Sequence, residues 1–176
     1  MPITPITPAD IQDWLFRSTP TKPRNHVPHR IRALWANLAS LDQRQKSSPE
    51  SISSTRVQRI RRRCETDAIW EGRIAALRWL IEFIDIKPAP KHEKDACKAS
   101  DFYGAAPFSP GKDFDDLADY WMSCTKATSH ATHASGHTDL NDAVFDKART
   151  LICSHLNATI YKNLKTTVED EALQPD

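Results

Sequence analysis

The stretch Trp70–Ile84 reads WEGRIAALRWLIEFI, and its apolar residues Trp70, Ile74, Leu77, Ile81 and Ile84 recur at alternating four- and three-residue spacing. A repeat of this length marks one face of an α-helix and is incompatible with the period of two that a half-buried strand requires. The stripe is heptad-like, so these five residues suit either an antiparallel helix pair or the seam of a homodimer. Gly72 interrupts the stripe and predicts close packing or a bend there. Upstream, Val57, Ile60 and Cys64 form a first apolar stripe, shifted relative to the second and expected to face inward. Together the two predict one long central helix over about 53–86, ended by Pro88 and Pro90.

The same periodicity organises the rest of the chain. Thr7-Pro8-Ala9-Asp10 is a helix-opening signal, and Ile11, Trp14 and Leu15 then share a face as far as about Arg17. Residues 18–28 hold Pro20, Pro23 and Pro28 among basic residues and read as an extended linker. Ile31, Leu34, Trp35, Leu38 and Leu41 predict a helix from about Pro28 to Gln45. Lys91–Pro110 is a polar, proline-containing connection, a length usually reserved for functional or disordered loops. Phe114, Leu117, Tyr120 and Trp121 predict a helix from about Asp113. Leu140, Val144, Ala148, Ile152, Leu156 and Ile160 predict another over about 138–165. No stretch alternates with turn chemistry as strands do. The expected fold is therefore all-α, with about five helices in a small bundle.

Charge divides the chain near residue 90. Residues 1–90 hold 12 Arg and 3 Lys against 9 acidic residues, a net of +6; residues 91–176 hold 1 Arg and 8 Lys against 14, a net of −5. The formal total of +1 conceals this asymmetry. We expect a basic, arginine-rich helical subdomain at 1–90, an acidic helical subdomain at 91–168 and a mobile acidic tail at 169–176.

Several function classes are disfavoured by composition. Four glycines, Gly72, Gly104, Gly111 and Gly136, are too dispersed for a phosphate-cradling loop of the Walker or dinucleotide-binding type. The most apolar stretch, Ala75–Ile86, carries Arg78, Glu82 and Asp85, which argues against a membrane partner. Cys64, Cys97, Cys124 and Cys153 form no CxxC pair, and the N-terminus lacks a basic-then-apolar leader, so reduced thiols in a cytoplasmic protein are expected. The five tryptophans fall on apolar faces and are expected in the core.

The candidate partner-binding residues begin with RVQRIRRR at 56–63, where Arg56, Arg59 and Arg63 share a helix side and Arg62 flanks them; Arg24, Arg30 and Arg32 are expected to extend the patch. Guanidinium groups form forked contacts with carboxylate or phosphate and repel one another when crowded, so unless the face is simply solvated a counter-charge lowers the energy of the folded state. It can come from a protein partner, from nucleic acid, or from the chain's own Asp113, Asp115, Asp116 and Asp119. A second constellation is His130, His133 and His137, whose i, i+3, i+7 spacing suits a zinc ion on a helix, although Gly136 and the neighbouring Ser and Thr residues disfavour a helix there. Neither an HExxH nor a GxSxG motif is present, and no cofactor is written into the chain.

The leading expectation is a non-enzymatic helical adaptor or inhibitor that binds a macromolecular partner, most readily a protein, through the arginine face. A phage or other mobile element is a compatible source. The alternatives are a nucleic-acid-binding regulator and a metal-dependent enzyme built on the three histidines. The pI of 7.7 lies below the value above about 9 usual for nucleic-acid-binding domains.

Overall fold

The computed structural model describes residues 15–16, 26–35, 55–86, 98–129 and 140–173. Five α-helices lie within them, and no strand occurs among the described residues, so the fold is all-α. Helix α1 is His26–Leu34, α2 is Arg56–Phe83, α3 is Lys112–Ser129, α4 is Asp142–Leu156 and α5 is Val168–Leu173. Pro28 sits inside the first turn of α1, where a missing N–H leaves no intrahelical bond unmade.

Local chemistry sets the helix ends. Thr55 and Gln58 form a reciprocal capping box at the start of α2: the Gln58 amide donates to Thr55 Oγ1 at 3.4 Å, and the Thr55 amide donates to Gln58 Oε1 at 2.8 Å. The helix stops before Pro88, at Phe83. Asp85 takes a left-handed conformation (φ 67°), and the Ile86 amide returns to the Ile81 carbonyl at 3.3 Å. Ser100 Oγ donates to the Asp85 carboxylate at 2.5 Å, and Lys98 Nζ lies 3.2 Å from it, which fixes this corner and the 3-10 turn Ala99–Asp101 beside it. Asn141 caps α4 by accepting from the Val144 amide at 3.1 Å.

Helix α4 continues through one π turn, Asn157–Tyr161, into Lys162–Leu164. Asn157 then clamps α5 from both ends of its amide: Oδ1 accepts from the Val168 amide at 2.9 Å, and Nδ2 donates to Glu169 Oε2 at 2.8 Å. In place of the mobile acidic tail expected at 169–176, Val168–Leu173 is helical with Val168 and Ala172 buried; residues 174–176 lie outside the described set. Its acidic first turn suits the positive end of the helix dipole.

The C-terminal half of α2 is the centre of the core. Ile74, Leu77, Leu80, Ile81 and Ile84 are buried against Val27, Ile31 and Leu34 of α1, Leu117 and Cys124 of α3, and Phe145, Ala148 and Ile152 of α4. Phe16 fills one end, with the rings of Phe83, Phe102, Tyr103 and Tyr161 centred 5.2–6.3 Å from its own. The Tyr161 hydroxyl donates to the Phe16 carbonyl at 3.3 Å.

Helices from both sides of the expected boundary near residue 90 share this core, and 87–97 itself lies outside the described residues. The seam Trp70, Ile74, Leu77, Ile81 and Ile84 is consumed within the chain: four of its residues are buried, and Trp70 packs edge-on against Phe145 at 5.4 Å. Four of the five expected seam residues thus pack within the chain, and only Trp70 keeps part of its surface. Trp35, Trp79 and Trp121 are likewise half-buried against the core. Gly72 is exposed, and a Cβ placed there would meet nothing within 4 Å, so it marks no close approach.

Candidate partner-binding surface

Helix α2 has two unlike halves. From Arg56 to Gly72, about 25 Å of helix at 1.5 Å per residue, no residue is buried. Arg62, Thr66, Ile69 and Trp70 are half-buried and define the side nearest the body. Val57, Ile60 and Cys64 lie on the opposite side, roughly 180° away at 3.6 residues per turn. Val57 is 73% exposed and Ile60 54%, and Cys64 is exposed too. This corrects the expectation that the three face inward. The two apolar stripes of α2 are rotated against each other, so only the second can meet the core.

Around the outer stripe stand Arg56 and Arg63 on one flank and Arg61 on the other, all exposed, with Arg59 behind Arg63. Among the described residues no ion pair involves Arg56, Arg59, Arg61 or Arg63. Their position heightens the imbalance. The first turn of α2 contains no acidic residue, so these cations sit at the helix end whose dipole is already positive. An anion placed here gains from the guanidinium groups and the helix terminus together.

The chain's own aspartates do not supply that anion among the described residues. Asp116 pairs with Lys147 Nζ at 2.5 Å, which holds its carboxyl below the usual range and staples α3 to α4. Asp113, Asp115 and Asp119 are exposed on the first two turns of α3. Arg30 and Arg32, expected to extend the patch, belong elsewhere. Arg30 lies over the Trp79 ring at 4.5 Å, where burial lowers its pKa, and Arg32 Nε donates to the Ala172 carbonyl at 2.7 Å. Trp79 lies twenty residues beyond Arg59, about 30 Å along the axis. Arg24 lies outside the described residues.

Conversely, Arg61 belongs to the surface although the arginines expected to bind do not include it. The signal was in the sequence: Val57, Ile60 and Cys64 are out of phase with Ile74, Leu77 and Ile81, which turns Arg61 to the rim of an outward stripe.

Other constellations are less able to do chemistry. His130, His133 and His137 lie outside the described residues, among which no group of three His, Cys, Asp or Glu side chains is placed to hold a metal ion. Burial pushes the thiols of Cys124 and Cys153 up to about 12, so neither is a nucleophile at neutral pH. His155 packs on Phe108 with ring centres 5.1 Å apart, its Nε2 is buried without a hydrogen-bond partner, and burial lowers its pKa against the pull of Asp85. Comparisons with protein-family models, with curated proteins and with solved structures find no match.

Proposed function

We propose that the chain is a non-enzymatic binding protein whose recognition element is the N-terminal half of α2, and that its partner is an acidic protein. One observation carries this reading: Arg56, Arg59, Arg61 and Arg63 are exposed at a helix N-terminus with no carboxylate paired to them among the described residues. Such a cluster is a self-repelling cost in the free protein and a source of affinity in a complex.

A protein partner fits better than nucleic acid. Val57 and Ile60 share the surface with the arginines, and apolar side chains rimmed by arginine are the composition of protein interfaces. Contacts to a duplex go mainly to phosphate, and the exposed Glu65, Asp67 and Glu71 on the following two turns would repel it.

The test is affinity capture from the native host with and without nuclease, comparing the natural chain with Arg59→Glu/Arg63→Glu. A protein retained through nuclease treatment and lost in the charge-reversed variant is the expected result. Capture that vanishes with nuclease would move the assignment to nucleic acid, and capture indifferent to the reversal would reject the arginine surface altogether.

A further inference from the structure

Within that reading of the arginine end, the geometry names the element of the partner that docks there. Val57, Ile60 and Cys64 occupy successive seam positions of a heptad, written a, d and a. All three are exposed, and they face away from the body of the protein. Val57 and Ile60 are two of only four large apolar side chains exposed among the described residues. In the same register Arg61 falls at position e, and Arg56 and Arg63 fall at g, the sites that flank the seam and select a partner by charge. The next seam positions are Asp67 and Glu71, so the apolar strip ends after Cys64.

We infer that the strip Val57–Ile60–Cys64 receives a single amphipathic helix of the partner, whose apolar stripe packs on these three residues and whose Asp or Glu flanks pair with Arg56, Arg61 and Arg63. The flanking charges also exclude a second copy of this chain. Parallel pairing sets g against e, which brings Arg56 against Arg61 from each side, and antiparallel pairing sets g against g and e against e, which again crowds these arginines together. A helix with acidic flanks replaces each repulsion with a charge-assisted pair. The strip supplies the orientation that charge alone lacks, because Val57 and Ile60 must be desolvated together.

Titration of the full chain with two synthetic peptides decides the matter. One carries repeated heptads with Leu at a and d and Glu at e and g; the other has the same composition with its leucines scrambled off the seam. A 20-base-pair DNA duplex is the third probe. We expect the seam peptide to bind at 1:1 and the scrambled peptide to bind at least about tenfold more weakly, the factor expected for covering two aliphatic side chains.

Val57→Ser/Ile60→Ser alters no core contact and should lose about the same factor with unchanged helicity. In a Cys97→Ser background, seam peptide should also protect Cys64 from maleimide, while Cys124 and Cys153 are already shielded by burial. Equal affinity for the two peptides would overturn the docked helix and leave the acidic-partner reading intact. Failure of both peptides, with or without binding of the duplex, would overturn the two together.

Discussion

Arg73 is 2% exposed, its guanidinium rests 4.1 Å from the Phe145 ring centre, and its Nη1 donates to Asp142 at 2.6 Å while Nε has no partner. Removing the carboxylate leaves a buried charge uncompensated, so Asp142→Ala should lose about 3 kcal/mol, the lower end of the range for broken buried pairs. Asp142 keeps 30% of its side-chain surface in water, which moderates the loss. Arg73→Met/Asp142→Ala should recover to within about 1 kcal/mol of the natural chain in urea unfolding, because neither charge is then stranded. His155 makes a second prediction. Burial holds its pKa below the ordinary 6.5, so the unfolded chain takes up its proton first as pH falls. Stability should therefore be level above 6.5 and decline below it until the lowered folded value is passed. Thermal unfolding against pH should show that decline in the natural chain and a flatter profile in His155→Gln. Neither role was legible beforehand, since Arg73 and His155 sit within helical stripes and their partners come from distant segments.

Among the elements, α2 divides at Gly72 into a half held by the core and a half held by its own capping and backbone bonds. Gly72 is exposed and helical, and a methyl group added to it would touch no neighbour, so Gly72→Ala should stabilise the chain by about 1 kcal/mol. A loss of stability in chemical unfolding would show that the glycine serves a bend or contact after all. The long helix was legible because Trp70–Ile84 repeats with unbroken helical spacing. Its start was expected at about 53 and lies at Arg56, because Thr55 and Gln58, three positions apart, form the capping box that fixes it. What the pattern could not settle is which of two apolar stripes meets the core. That choice rests on where α1, α3 and α4 pack, and no residue of α2 before Arg73 is buried.

For the whole molecule, the +6 and −5 halves of the sequence share one core and leave the arginine end unneutralised by any described carboxylate. The seam proposed from sequence for a homodimer lies inside that core, and the outer strip is flanked by like charges. The chain should therefore be monomeric in light scattering at low and moderate salt, and a dimer sensitive to Val57→Ser/Ile60→Ser would contradict this. The central claim is that the N-terminal half of α2 is the recognition element, and backbone amide hydrogen exchange tests it most directly. With the nuclease-resistant partner bound, exchange should slow at 56–65 and stay unchanged at 73–83; unchanged exchange at 56–65 alongside protection elsewhere would contradict the account.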